Sequence, residues 1–317
     1  MNRTVRLANA PVSYGVYGPA AGGVLASPAD VLRAMSNAGY QGSELGPPGF
    51  FGTPEQVSTA FAGSGLSAVG VYAPVHFSAD ELTVEKDLAG IELSCKELVA
   101  CAGAGVVILA DEGSQLLLSN PARGDGTSLG LDKAGWHRLV VAARRAAELV
   151  AGYGLTISFH PHISTFVESR HEIERLLELT ELSLTIDTGH LLLAGADPAQ
   201  CVRDWGARVN HVHIKDVRVD VLQRAKAAQR QDFDTWWAEV CTPLGDGDVD
   251  IEPVLEALAS LGYRGWLVVE QDRAPTAAED YPAVMALQAA NRAWLAHLAA
   301  HFWAPPQEPT TTSGNRS

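Results

Sequence analysis

Along the chain, short apolar runs rich in β-branched residues alternate with longer segments whose apolar positions recur at helical spacing, and turn-forming residues fall between them. Eight short runs read as strands: one around Arg6, then Gly42 to Leu45, Ser67 to Ala73, Val106 to Ala110, Thr156 to His160, Ser183 to Asp187, Val209 to Lys215 and Trp266 to Glu270. In SPADVLRAMSNAGY, Val31, Leu32 and Met35 share a helical face behind a capping Ser27, and the Ala-rich stretch from Lys133 to Gly152 predicts a long helix. Eight strand-plus-helix units without a break in composition predict an α/β fold, a (β/α)8 TIM barrel, over residues 1–303. A doubly wound sheet is the runner-up, but no GxGxxG follows the first strand. The Pro-, Thr- and Ser-rich tail, residues 304–317, has no apolar periodicity and is expected to be disordered.

Composition narrows the function. With 47% apolar residues in 317, the chain can bury a full-sized core. Its 37 acidic against 23 basic residues, a net charge of -14, argue against nucleic-acid or anionic-membrane partners. Cys95, Cys101, Cys201 and Cys241 are scattered, without CxxC spacing, and read as reduced thiols. The absence of a signal-like or membrane-spanning apolar run predicts a cytoplasmic protein, and because barrels often pair, a homo-oligomer is an open expectation.

A barrel assembles its active site at the carboxyl ends of its strands, so the polar residues there carry the chemistry. Glu44 ends the second predicted strand, His160 and His162 the fifth, Asp187 and His190 the sixth, His211, His213 and Lys215 the seventh, and Glu270 the eighth. Carboxylates and imidazoles converging from several strands suit a divalent ion such as Mn²⁺, Co²⁺, Mg²⁺ or Zn²⁺. The set expected to hold it is Asp187, His213 and Glu270, completed by Glu168 or His160. Each residue has a plainer reading: a lone Asp after a strand is often a helix N-cap, and His211 and His213 alternate on one strand face, so only one need touch an ion. Tyr14, Tyr72 and His76, near the ends of the first and third strands, are candidates for a wall against a substrate ring. In PLGDGDVDI the Gly-Asp-Gly reads as a turn presenting Asp248 or Asp250 as a helix cap, rather than as an anion site. QRAKAAQRQDF and the Trp236–Trp237 pair after the seventh strand read equally as a lid over the rim or as ordinary packing.

HPHISTFVES, IDTGHLLLAG, HVHIKDV, PLGDGDVDI and GYRGWLVVEQD together resemble the inosose dehydratase branch of the xylose isomerase-like sugar isomerase and epimerase barrels. The resemblance is strong from Gly154 to Asp272, and weaker earlier, where SELGPPGFFGTP is similar. It implies that Asp187, His213 and Glu270 ligate a metal, Mn²⁺ or Co²⁺ being favoured. Most relatives carry Glu where this chain has His160, so the resemblance favours Glu168 as fourth ligand. It places His190 beside the substrate and turns Lys215 towards the pocket.

The implied reaction is dehydration of 2-keto-myo-inositol (inosose), with Glu270 or His162 as base and His190 or Lys215 assisting loss of hydroxide. Glu44, His76, His160 and His211 are the expected substrate contacts. An epimerase or isomerase shares the same C–H acidification and is the alternative; a non-catalytic sugar-binding barrel is a third reading.

Overall fold

The computed structural model describes residues 5–16, 26–77, 79–101, 105–124, 129–230, 233–273 and 280–303. The expected tail, 304–317, lies outside them, as does part of the Gln-rich segment before Phe233. Strands β1 (Arg6–Asn9), β2 (Gly42–Glu44), β3 (Ser67–Val75), β4 (Val106–Asp111), β5 (Thr156–His160), β6 (Ser183–Asp187), β7 (Val209–Ile214) and β10 (Trp266–Val269) form the barrel. The order β1-β10-β7-β6-β5-β4-β3-β2 closes on itself, and the pairings are parallel. Helices cover the strands' outer faces, so strands such as β4 are buried at every position and read as continuous apolar runs.

Helices α1 (Pro28–Ala38), α2 (Pro54–Ser64), α3 (Glu81–Ala100), α4 (Gln115–Leu118), α5 (Lys133–Gly152), α6 (Arg170–Leu179), α7 (Thr188–Leu193) and α8 (Pro198–Trp205) follow in the first two thirds. Their starts are set locally. Ser27 with Asp30, Thr53 with Gln56, and Ser169 with Glu172 form reciprocal capping boxes that satisfy otherwise orphaned N–H groups.

After β7 the chain makes an excursion. The two-residue strand β8 (Asp216–Val217) pairs antiparallel with β9 (Cys241–Thr242), and α9 (Val219–Ala227) and α10 (Phe233–Val240) lie between them. The following loop returns to α11 (Ile251–Ser260) through PLGDGDVD. Its amides do hold an anion, supplied by the chain itself: Gly245, Gly247 and Val249 donate to the Asp216 carboxylate at 2.8, 3.0 and 3.1 Å. A Cβ at Gly247 would come within 2.2 Å of Asp216 Oδ1. The expected Asp250 cap is corrected: Asp250 occupies the N-cap position of α11 without a side-chain bond, and Asp248 instead accepts the Val219 N–H at 2.8 Å, at the start of α9.

Helix α12 (Tyr281–Trp303) closes the chain. It is tied to the barrel mouth by buried amides: Asn9 donates to Gln288, while Gln288 and Asn291 both donate to Gln271.

Candidate active site and metal centre

Register brings the polar strand ends together. His213 lies opposite Asp187 on β6 and opposite Val268 on β10, two residues before Glu270, and His160 ends β5 beside Ala110 of β4. Asp187 Oδ2 lies 3.7 Å from His213 Nδ1, 3.6 Å from His160 Nε2, 3.8 Å from His190 Nε2 and 3.4 Å from Lys215 Nζ. Glu270 Oε2 is in contact with His213 Nδ1, and its Oε1 lies 3.5 Å from Lys215 Nζ.

The IDTGH segment explains itself residue by residue. Asp187 Oδ1 accepts the N–H groups of Gly189 and His190 at 2.9 and 3.0 Å, so it caps α7, as an isolated Asp would. Its second oxygen is turned into the cluster. Thr188 Oγ1 donates to the Lys215 carbonyl and accepts its N–H, locking α7 to the end of β7. Gly189 permits that approach, since a Cβ there would meet Lys215 Cγ and Val217 Cγ1, both at 2.8 Å.

Asp187 Oδ2, His213 Nδ1, Glu270 Oε2 and His160 Nε2 are buried and take part in no hydrogen bond. Buried polar atoms are normally paired, so convergent oxygen and imidazole atoms left this way are a cradle for a cation. Asp187, His213 and Glu270 offer ligand atoms within 4.8 Å of one another, and so do His160, Asp187 and His190. The mixed O/N donor set, without thiolate, fits a divalent ion of the first transition series or Mg²⁺.

Electrostatics agree. Burial opposes charge on His213, but the carboxylates of Glu270 and Glu44 raise its imidazole well above the usual range. Burial likewise opposes charge on Asp187, which Lys215 and His190 pull well below the usual carboxylate value. Lys215, disfavoured as a cation by burial, is held as ammonium by Asp187, Asp272 and Glu270.

These groups border a cavity of about 470 Å³. Glu44, Tyr72, His160, His162, His213, Glu270 and Trp237 line it, whereas Asp187, His190, His211 and Lys215 form the layer behind. Within that layer His190 is sandwiched, its ring parallel to Trp237 with centroids 5.2 Å apart and 3.7 Å from that of His162. Lys215 Nζ reaches His190 Nε2 at 3.2 Å and Asp272 at 2.6 Å. His162 Nδ1 makes a 2.7 Å hydrogen bond with the Ile163 carbonyl, so the ring carries its hydrogen there and leaves Nε2 as an acceptor. Burial, then the neighbouring charges of His160 and Lys215, lower His162 to about 3 and keep it neutral.

Two expected site residues are placed elsewhere. Glu168 is not brought to the cluster: Oε1 takes the Arg123 N–H at 2.7 Å and its guanidinium at 3.0 Å, and Oε2 takes the Ser164 N–H at 2.8 Å, which leaves no oxygen for an ion. His160 fills the corresponding position in the cluster. His76 is exposed and pairs with Asp87 at 3.2 Å, outside the cavity. Of the other wall candidates, Tyr72 borders the cavity and donates to Glu112 at 3.1 Å, while Tyr14 is core.

Sequence reasoning missed Asp272 and Asp111. Asp272 stands two residues beyond Glu270, borders the cavity and takes a proton-bearing contact from Lys215. Asp111 ends β4, where strand-end position alone flagged nothing, and accepts the Phe166 N–H at 2.7 Å.

A closed parallel barrel with a cation cradle at its carboxyl rim defines the class, and the chain belongs to the xylose isomerase-like TIM barrel family, whose model matches residues 32–293. Within that family it is similar to the inosose dehydratase of Geobacillus kaustophilus, 31% identical over 256 residues that span 79% of this chain and 82% of the relative. The rhizopine catabolism protein MocC of Rhizobium meliloti is 44% identical over 135 residues, 42% of this chain and 41% of that protein. Among solved structures, the IOLI protein with a bound zinc atom superposes with a TM-score of 0.69 at 13% identity, covering 95% of this chain and all of that one, which establishes the shared fold. Among the described residues, no helix is long and apolar enough to cross a membrane.

Proposed function

We propose that this chain is a metal-dependent hydro-lyase that removes water from a keto-cyclitol of the inosose class. The observation that carries the reading is the set of Asp187, His213, Glu270 and His160 atoms that converge without hydrogen bonds at the base of a cavity of sugar-sized volume. The inosose dehydratases it resembles over most of its length supply the substrate class.

Asp187, His213 and Glu270 would hold the ion, with His160 as fourth ligand in place of Glu168. Mn²⁺ or Co²⁺ is the favoured occupant, and Mg²⁺ or Zn²⁺ would suit the same donors. When bound, such an ion acidifies the C–H beside a ketone by stabilising the negative charge that develops on the carbonyl oxygen.

The chain's own groups handle the protons. Glu270 or His162 takes the C–H proton; His162 faces the cavity with Nε2 as an acceptor, its tautomer fixed by Ile163. Burial raises Asp272 above the usual carboxylate range, and it borders the cavity while bonded to Lys215. A proton from the Lys215 ammonium, passed through the Asp272 carboxyl, protonates the departing β-hydroxyl, which leaves as water as the carbon–carbon double bond forms. His190, one layer back, orients His162 and Lys215 rather than touching the ring.

Incubating Mn²⁺-loaded protein with inosose and, separately, with D-fructose in heavy water tests this. Loss of one water from inosose, followed by mass spectrometry and NMR, is the expected result. Deuterium uptake beside the hexose carbonyl without water loss would replace the hydro-lyase with an epimerase or isomerase, and no exchange with either ketone would overturn catalysis of this kind.

A further inference from the structure

Glu44, expected to touch substrate, does border the cavity, and its carboxylate is also engaged by two buried histidines. It ends β2, yet it reaches across the lumen to β7, where Oε1 is 2.7 Å from His211 Nε2 and 2.8 Å from His213 Nε2. All three side chains are buried. The backbone there is tightly set: β2 and β3 change register between Ser43 and Glu44, and a Cβ on Gly70 opposite Glu44 would lie 3.0 Å from Ile108 Cδ1 and 3.2 Å from the Val106 carbonyl oxygen.

These three residues also meet the geometric test for a cation site of their own. Bond geometry decides against it, since both contacts are formed hydrogen bonds whereas the His213 Nδ1–Glu270 Oε2 contact is not. An ion would sit about 2.0–2.2 Å from each ligand and would occupy the line on which the imidazole hydrogens lie, whereas 2.7 and 2.8 Å between nitrogen and oxygen are hydrogen-bond separations. One carboxylate oxygen accepting from two Nε2 atoms requires both rings to carry their hydrogen there.

We propose that Glu44 and His211 are positioning residues: Glu44 fixes the tautomer and tilt of His213 so that Nδ1 is presented to a single ion, and His211 anchors Glu44 from the same strand. Second-layer partners of this kind typically change ion affinity 10–100-fold when removed. The inference rests on the ion centre and not on the choice of substrate, so a failure of inosose dehydration leaves it standing.

The test compares wild type, Glu44→Gln and His211→Asn, stripped and reloaded with Mn²⁺. Elemental analysis gives ions per chain and calorimetry gives Kd, with circular dichroism to establish folding. One ion per chain in all three and a Kd weakened roughly 10–100-fold in each variant is expected. A second ion in the wild type that disappears in either variant would make Glu44 and His211 ligands and overturn the assignment. So would an unchanged Kd accompanied by a raised KM, which would make Glu44 a substrate contact. Should the variants fail to fold, ¹⁵N-histidine NMR of the Zn²⁺-loaded wild type decides: Nε2–H on both rings upholds it, and Nδ1–H on His213 defeats it.

Discussion

Asp187 performs two jobs with two oxygens, and this separates ion binding from folding at the level of one residue. Asp187→Asn keeps an acceptor for the Gly189 and His190 amides but removes the charged ligand, so the protein is expected to fold, retain no ion and show no exchange at the carbon beside a ketone. Ion content and deuterium uptake check this. Asp111 gives a pH prediction. Burial raises it to about 6, so its protonated form is the one the fold prefers. Its stabilising contribution is complete below the unfolded value near 3.9, and is lost as pH rises through 6, a change of about 3 kcal/mol. Asp111→Asn should therefore gain stability relative to wild type, by up to about that amount, between pH 4 and pH 7. Urea denaturation of both proteins at the two pH values measures it; a constant difference would place the Asp111 carboxyl in its ordinary range.

Among the elements, α7 depends on close contact with the end of β7. Gly189→Ala puts a methyl group 2.8 Å from Lys215 Cγ and Val217 Cγ1, an overpacking expected to cost about 1–3 kcal/mol in denaturant titration. Helix α10 carries a buried Trp237 to the cavity wall and against His190. Trp237→Ala should raise KM several-fold and leave the ion count unchanged. The barrel strands were readable because a strand buried on both faces is a short apolar run with nothing to confuse it, and β5 and β6 begin and end where the pattern placed them. The long α5 was equally plain. The convergence of Asp187, His213 and Glu270, the proposed ion ligands, could be read from strand ends, since parallel register turns sequence position into spatial position. Glu168 misled because it lies on a loop, where sequence offset says little about direction; Arg123, 45 residues away, decides where it points. His76 failed for a similar reason, its ring being turned outward by Asp87 from α3. Asp216 filling its own loop's amides was invisible without the fold, because the donors lie 29 to 33 residues further along the chain.

At the scale of the molecule, the proposed ion centre draws on β5, β6, β7 and the end of β10, so its occupancy would couple neighbouring staves of the barrel. A ligand that binds only the folded state stabilises it by about 2.7 kcal/mol at a concentration one hundred times its Kd. Loading with Mn²⁺ should accordingly raise Tm and a chelator should lower it, with Asp187→Asn indifferent to both in a calorimetric scan. The same carboxylate offers a further use. Because one oxygen of Asp187 grips two backbone amides while the other faces the cation, charge drawn towards the metal must weaken the grip on the helix start. The ¹H–¹⁵N resonances of Gly189 and His190 are thus an intrinsic gauge of loading, readable without substrate, dye or label at the reacting centre.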